Sequence, residues 1–174
     1  MVKSTFKNLP DEKRKRIDQA LLVEFSHYSL DNAQVARIVK SAQIARGAFY
    51  KYFDDLEDAY GYIYHKAIDD IHLGLRPNGE KFDPDLFYQM TVDFVNRTED
   101  SEYRDLIKFH LSENQMEMHH APDAQSKRLA HLDARTWSAM VLTHEAINLA
   151  LFDPAHRDQN LKRYKQSLEL LKGE

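Results

Sequence analysis

The 174-residue chain contains no cysteine, which excludes a disulfide framework, a thiolate metal site and a cysteine nucleophile. Glycine and proline are also scarce, with five of each, so few breaks and long helices are expected. No run of about 18 apolar residues is present, and no apolar segment follows the basic N-terminal residues. We therefore expect a cytoplasmic protein that has neither a membrane span nor a signal peptide.

Acidic side chains outnumber basic ones, but the balance changes along the chain. The net charge is −4, yet residues 1–53 carry ten basic and five acidic side chains, and the remainder carries a net charge of −9. A basic N-terminal part on an acidic remainder indicates that only the N-terminal part meets a polyanion.

Apolar residues recur every three to four positions, and no stretch alternates as a β-strand would. The pattern predicts an all-α protein. Asp11 is expected to open the first helix, and Asp31 or Asn32 is expected to cap the second. The predicted helices span 11 to about 26, 33–41, 44–52, 54–73, 83–97, 101–118, 124–152 and 157–172.

Two domains are expected from this order. Residues 1–53 form a three-helix DNA-binding domain, and residues 54–174 form a helical regulatory and dimerisation domain. The helix at about 54–73 connects the two. A bulky change at Ala59 or Ala67 on that helix is expected to alter a ligand response more than the fold.

The segment Ala33–Tyr60 has the pattern of a helix-turn-helix. Two short helices flank a turn of three to four residues, and small residues stand at Ala36 and Ala42, where the helices approach each other. Apolar residues fill a shared core, while polar residues remain for the outer surface: Lys40, Gln43, Arg46, Tyr50 and Lys51.

This segment resembles the DNA-binding region of the tetracycline-repressor (TetR/AcrR-like) family. The resemblance rests on the small-residue turn, on Gly47 within a short recognition helix, on the run Phe49-Tyr50-Lys51-Tyr52-Phe53, and on the acidic start of the next helix. It covers roughly residues 11–65 in detail and the remainder in architecture. It implies a transcriptional repressor that binds double-stranded operator DNA as a homodimer and leaves it when a small effector binds.

Four positions depart from the family pattern. Gln43 stands where the turn usually has Gly, Ala45 and Ala48 stand where a hydroxyl residue is usual, and Leu56 stands where a Lys is usual. Lys40, Lys51 and the cluster Lys13–Arg16 remain as candidates for phosphate contacts, for which Lys and Arg are suited.

The predicted DNA-binding residues surround the recognition helix. Arg and Gln side chains can read guanine and adenine in the major groove, which makes Arg46 and Gln43 the candidates for base contacts. Gly47 is expected to permit close approach to DNA or to a neighbouring helix. The full predicted set is Lys40, Gln43, Arg46, Gly47, Tyr50, Lys51 and Tyr52.

Helix-turn-helix proteins usually bind two half-sites through two-fold symmetry, so a dimer interface is expected. The last two helices carry apolar stripes that would pack in a four-helix dimer bundle or against the chain's own helices. The interface candidates are Met140, His144, Ile147, Leu151, Leu161, Tyr164 and Leu168.

The middle helices are rich in aromatic residues and Met, which suits an apolar or aromatic ligand or an ordinary core. The candidate pocket residues are Phe87, Met90, Phe94, Ile107, His110, Leu111 and Trp137. A regulator that has no ligand, or one controlled by a protein partner, is the alternative.

Other functions find little support in the sequence. No nucleophile, base and orienting residue form a set, so an enzyme is not expected. The adjacent His119 and His120 do not share a helical face, and no metal-binding spacing follows His144-Glu145. No metal and no cofactor are expected.

Overall fold

The computed structural model describes residues 2–72, 82–114 and 132–172, and this part of the chain contains helices and no β-strand. The all-α prediction is confirmed. A π-helical turn at His110–Asn114 continues α7, and 3-10 turns lie at Leu30–Asn32 and Pro154–His156. The helices are α1 (Ser4–Lys7), α2 (Asp11–His27), α3 (Val35–Ser41), α4 (Arg46–Tyr52), α5 (Leu56–His72), α6 (Pro84–Glu99), α7 (Arg104–Phe109), α8 (Ala134–Phe152) and α9 (Arg157–Leu170).

The chain divides into two compact units. The first comprises Met1–Asp70 and Glu102–Glu117, and the second comprises Ile71–Ser101 and Met118–Glu174. The first unit therefore holds α1–α4, α7 and nearly all of α5. The expected domain boundary after residue 53 stays a prediction.

An aromatic core holds the first unit together. Phe25 of α2 meets Tyr60 of α5 edge to face at 5.1 Å between ring centroids, and Phe49 of α4 lies 5.3 Å from Phe53. All four side chains are fully buried. Aromatic side chains bury large areas and gain further from edge-on contacts, so this core fixes the short helices.

Helix α1 was not anticipated from the sequence. It is a single turn of four residues, and its Phe6 is 1% exposed. The ring of Phe6 lies 5.1 Å from that of Phe53 and 5.0 Å from that of Tyr62. A four-residue helix is not stable alone, so α1 exists because Phe6 packs into the aromatic core.

The start of α3 differs from the expectation. Neither Asp31 nor Asn32 caps it; both lie in a 3-10 turn, and Gln34 occupies the N-cap position. The cap comes from α2 instead, because Oε1 of Glu24 accepts a 2.7 Å hydrogen bond from the backbone N–H of Gln34. In a capping box, a Glu or Gln three residues into the helix accepts this N–H of the N-cap residue, and here the carboxylate of Glu24 from α2 accepts it.

The expectation for the connecting helix also needs a correction. Ala59 and Ala67 of α5 are both fully buried. A bulky side chain at either position would overpack the core, which typically lowers stability by about 1–3 kcal/mol. Such changes would therefore disturb the fold itself.

The described part of the second unit consists mainly of α6, α8 and α9. Asp83 caps α6, since its Oδ1 accepts hydrogen bonds from the N–H groups of Asp85 and Leu86. Small residues on α8 allow the helices to pack closely, and the core contains Ala139, Ala146, Tyr164 and Leu168.

Several sequence predictions lie outside the described residues. These are the break at 75–79, the stretch around Pro122, and the histidines His119, His120 and His131. Within the described ranges, no helix is both long and apolar enough to cross a membrane. The same ranges hold no group of three or more His, Asp or Glu side chains that could bind a metal ion.

Candidate nucleic-acid interface

The helix-turn-helix consists of α3 and α4, joined by a turn at Ala42–Ala45. Ala42 is fully buried, and its N–H donates to the carbonyl of Ile38 at 2.8 Å. The N–H of Ile44 donates to the carbonyl of Val39 at 3.0 Å. These bonds satisfy carbonyls at the end of α3, so the turn is held tightly enough to fix the start of α4.

Gln43 lies in the left-handed region of backbone conformation, with a φ of 53°. A side chain at such a φ is strained unless it is Gly, because its Cβ approaches the following carbonyl. The side chain of Gln43 is exposed. This turn therefore places a polar side chain at the surface where the backbone alone favours glycine.

Helix α4 has a buried face and an exposed face. Phe49 is fully buried in the aromatic core, which fixes the rotation of the helix about its axis. Six of the seven predicted DNA-binding residues are exposed: Lys40, Gln43, Arg46, Gly47, Tyr50 and Lys51. We call these six residues the recognition surface.

Tyr52 differs from the other predicted contacts. Its side chain is 6% exposed and meets Phe6 edge to face at 5.7 Å. The ammonium group of Lys13 lies 5.8 Å from the ring centroid, which is a cation–π distance. Tyr52 is therefore a core residue, and it does not belong to the recognition surface.

Gly47 has open space around it. Among the described residues, a Cβ added at this position would meet no atom within 4 Å beyond the neighbouring backbone of its own helix, and the same holds for Gly61 of α5. Gly47 is thus not needed for packing among the residues that the structure describes. Its close approach to DNA stays a prediction.

The N-terminal residues fasten the end of α4. The backbone N–H of Lys3 donates to the carbonyl of Tyr52 at 3.1 Å, and its Nζ donates to the carbonyl of Tyr50 at 3.0 Å. The hydroxyl of Thr5 donates to the carbonyl of Lys51. These carbonyls end the helix without a partner of their own, so the N-terminal segment supplies the missing donors.

Lys3 also forms an ion pair at the same place. Its Nζ lies 2.7 Å from Oδ1 of Asp54. The hydrogen bond from Lys3 and the charge of its ammonium group hold the pKa of Asp54 below its usual value. The pair lies between the end of α4 and the start of α5, so it helps to fix the segment between these helices.

A polar cluster joins α2 to α5 in the same unit. The hydroxyl of Tyr62 donates to Oδ1 of Asp18 at 3.0 Å. Burial raises the pKa of Asp18, although this hydrogen bond and the charges of Lys66 and Arg14 oppose the shift. The carboxylate of Asp18 is therefore held at some cost in solvation.

Lys66 anchors the next turn of α5. Its Nζ donates to Oδ2 of Asp70 at 2.7 Å and to the hydroxyl of Tyr103 at 3.1 Å. Burial alone would lower the pKa of Lys66, but the hydrogen bonds to Asp70 and Tyr103 together raise it. Lys66 remains charged and links α5 to the start of α7.

The second unit contains an apolar cleft of about 150 Å³ between α6 and α8. Three predicted pocket residues line it, namely Phe87, Met90 and Phe94. Sequence reasoning missed Thr91 and Thr143, which also line it, because a lone Thr in an apolar helix gives no signal that distinguishes it from a surface residue.

The other predicted pocket residues do not line this cleft. Ile107, His110 and Leu111 belong to the first unit, where Ile107 is 1% exposed. His110 is buried there, with its Nδ1 2.8 Å from the hydroxyl of Tyr60. Its ring lies 4.0 Å from that of Tyr64, and burial raises the pKa of Tyr64 to about 12.

The predicted interface residues fall into two groups. Leu151, Leu161, Tyr164 and Leu168 are buried within the chain itself. Met140, His144 and Ile147 line the apolar cleft, and His144 is also exposed.

Three large apolar side chains are exposed on α8, two of them one turn apart near its start and the third at its last residue. Trp137 is 50% exposed, Val141 is 49% exposed and Phe152 is 48% exposed. Trp137 was predicted for the pocket but does not line the cleft.

Comparison with known proteins agrees with this geometry. Residues 19–58 match the family model described as bacterial regulatory proteins, tetR family. No curated protein matches the chain in sequence.

Two solved structures share the fold. A TetR family transcriptional regulator from Chloroflexus aurantiacus J-10-FL is 24% identical, with a TM-score of 0.58 over 98% of this chain and 96% of that one. A TetR transcriptional regulator from Rhodococcus sp. RHA1 is 17% identical, with a TM-score of 0.52 over 92% of this chain and 96% of that one.

Proposed function

We propose that this chain is a TetR-family transcriptional regulator. It acts as a homodimeric repressor that a small apolar ligand releases from its operator. The recognition surface carries this proposal. It presents a guanidinium, an amide, two ammonium groups and a phenol on and beside one short helix, with a glycine among them. Arg and Gln are suited to base edges, and Lys is suited to phosphates.

Gly47 supports DNA as the binding partner. A helix in the major groove lies close to the bases and the sugar–phosphate backbone. A Cβ at Gly47 would meet nothing in the described part of the chain, so the lack of a side chain leaves room for a partner that approaches α4 from outside. Arg46 and Lys51 are exposed on the same helix, and their positive charges favour a partner that carries negative charge.

The proposed partner for dimerisation is a second copy of this chain. One recognition helix reads only a few base pairs, and two-fold symmetry doubles the site. Trp137, Val141 and Phe152 expose apolar surface on α8, and large aromatic residues are typical of interface centres. We propose that α8 packs against α8 of the second copy through these three residues and His144. The other interface candidates, Leu151, Leu161, Tyr164 and Leu168, are buried within the chain and would stabilise the helices that form the interface.

Ligand release is proposed to operate by a shift between two populations of the dimer. A ligand in the apolar cleft would favour the population whose recognition helices do not match the half-sites. The size of the response depends on the difference in ligand affinity between the two populations. Operator DNA lies in the bacterial cytoplasm, and we place the protein there.

The test is a binding titration on the DNA just upstream of the protein's own gene, at several salt concentrations. We expect binding of a dimer, with affinity that falls steeply as salt increases. Arg46→Ala should weaken binding by about 1–3 kcal/mol and relax sequence preference, whereas Lys51→Ala should weaken binding to all sequences and reduce the salt slope by about 1.

Arg104→Ala is the matched control, because Arg104 is an exposed arginine of α7 in the same unit. It should leave binding unchanged. Equal losses in Arg46→Ala and Arg104→Ala would contradict the recognition surface. Binding that no apolar compound weakens would favour the alternative, a regulator that has no ligand or that answers to a protein partner.

A further inference from the structure

Three hydroxyl groups meet at the apolar cleft of the second unit. Oγ1 of Thr91 lies 3.0 Å from the hydroxyl oxygen of Tyr164, and Oγ1 of Thr143 lies 2.7 Å from the same oxygen. Thr91 and Thr143 line the cleft, while Tyr164 is 4% exposed. The three groups come from α6, α8 and α9, so the fold gathers them from separate helices.

The protons of these hydroxyls are already in use. Oγ1 of Thr91 donates to the carbonyl of Phe87, and Oγ1 of Thr143 donates to the carbonyl of Ala139, both at 2.8 Å. Burial raises the pKa of Tyr164, so this residue keeps its proton, and its hydroxyl also lies 3.5 Å from the carbonyl of Phe87. Three hydroxyl protons therefore serve five contacts, and none is left over. Each hydroxyl oxygen has two lone pairs, so the cluster has acceptor capacity left over but no spare donor.

The remainder of the lining restricts the charge of an occupant. The other lining residues are apolar except His144, which is exposed. The lining contains no Asp, Glu, Lys or Arg, so a charged group inside such a cleft would lose its hydration without gaining a permanent opposite charge. An uncharged molecule avoids this penalty.

We propose that the cleft takes an uncharged, mainly apolar molecule with one hydrogen-bond donor, which the hydroxyl oxygen of Thr143 accepts. Thr143 is the partly exposed member of the cluster, whereas Thr91 is 2% exposed. This inference rests on the proposed function, since it describes the effector of the same site. An occupant that offered only an acceptor would first have to break an existing bond within the cluster.

The experiment compares three fused-ring probes of nearly equal shape by calorimetric titration of the full-length protein. Indole has an N–H donor, benzofuran has an oxygen acceptor in its place, and indene has neither. Indole should bind about fivefold more tightly than the other two, which is the effect of one net hydrogen bond. Thr143→Val should remove this preference, and Thr143→Ser should retain it.

The outcomes separate this inference from the proposed function. Equal binding of the three probes, or an indole preference that survives in Thr143→Val, would overturn the role of Thr143 and leave a ligand site in place. Failure of all three probes to bind would overturn both the ligand-release proposal and this inference. Thr143→Ser keeps the hydroxyl group and Thr143→Val removes it. A loss of the indole preference in Thr143→Val alone is therefore due to the lost acceptor.

Discussion

The carboxylate of Glu24 accepts a 2.6 Å hydrogen bond from Nη2 of Arg37, and the side chain of Glu24 is only 4% exposed. Nε of Arg37 donates to the same carboxylate, and the guanidinium lies 3.7 Å above the ring centroid of Tyr28. Glu24 also caps α3 through the N–H of Gln34. One buried carboxylate therefore fixes the first helix of the helix-turn-helix on α2.

Replacing Glu24 should destabilise the DNA-binding unit. In Glu24→Ala the N–H of Gln34 loses its acceptor, and the guanidinium of Arg37 keeps only the carbonyl of Asn32. We therefore expect the free energy of unfolding to fall by about 1–3 kcal/mol. Chemical denaturation measures this change. Glu12→Ala is the control, because its carboxylate is 87% exposed and pairs loosely with Lys15. If the free energy of unfolding falls equally little in both variants, the buried pair of Glu24 and Arg37 does not stabilise the unit.

Two glycines in similar surroundings separate stability from DNA binding. Gly47 and Gly61 both lie within helices, and beyond the neighbouring backbone of its own helix a Cβ at either would meet no atom of residues 2–72, 82–114 and 132–172 within 4 Å. Changing either to Ala should raise the free energy of unfolding by about 0.5–1 kcal/mol.

Only Gly47→Ala should weaken operator binding, since only α4 is proposed to approach DNA closely. Thermal unfolding and a DNA titration of both variants measure the two effects. Unchanged operator affinity in Gly47→Ala would show that the glycine does not serve close approach.

Replacing Gln43 with Gly should raise the stability of the protein and lower its discrimination between operator sequences. Gln43→Gly relieves the strain of a φ of 53°, so we expect a gain of about 1 kcal/mol in the free energy of unfolding. The same change removes the amide that we propose for base reading. It should therefore reduce discrimination between operator variants.

Gln43→Ala distinguishes the two causes of this effect. It removes the amide but keeps the strained backbone, so discrimination should fall without a gain in stability. Discrimination that persists in both variants would show that the amide reads no base.

The raised pKa of Asp18 predicts a pH-dependent effect. Asp18→Asn retains an oxygen that can accept from Tyr62 and removes the charge that burial disfavours. At pH 7 the variant should be more stable, by less than about 1 kcal/mol because the site is partly exposed and solvent screens it.

This advantage should disappear in acid. The folded-state pKa of Asp18 lies above its usual value of 3.8, so the wild-type protein gains stability as the pH falls through that raised pKa. Unfolding curves at pH 7 and below pH 3.8 measure the difference between the two proteins. An advantage that stays constant with pH would exclude the carboxylate as its source.

The sequence predicted the helix-turn-helix well because its signals are local. Spacing and turn composition place α3 and α4 within a few residues of their observed bounds, and Gly47 marks the recognition helix. Helix α1 could not be predicted in this way. Its formation depends on Phe6 packing against Phe53 and Tyr62, which lie more than 45 residues away in the chain.

The predicted interface and pocket were less successful for a related reason. A helical stripe shows which side chains share a face but not which element covers that face. Tyr164 and Trp137 both lie on such stripes, yet the first is buried and the second is half exposed. The hydroxyl cluster of Thr91, Thr143 and Tyr164 joins three helices, and no spacing within one helix could indicate it.

The separation of the two faces of α4 has a consequence for how this protein can evolve. Phe49 and Tyr52 maintain the fold from the buried face, whereas Arg46 and Tyr50 of α4, and Gln43 of the turn before it, are exposed. Substitutions at the outward positions can therefore accumulate without loss of folding. After a gene duplication, one copy could acquire a different target site through these few positions while its aromatic core stayed unchanged.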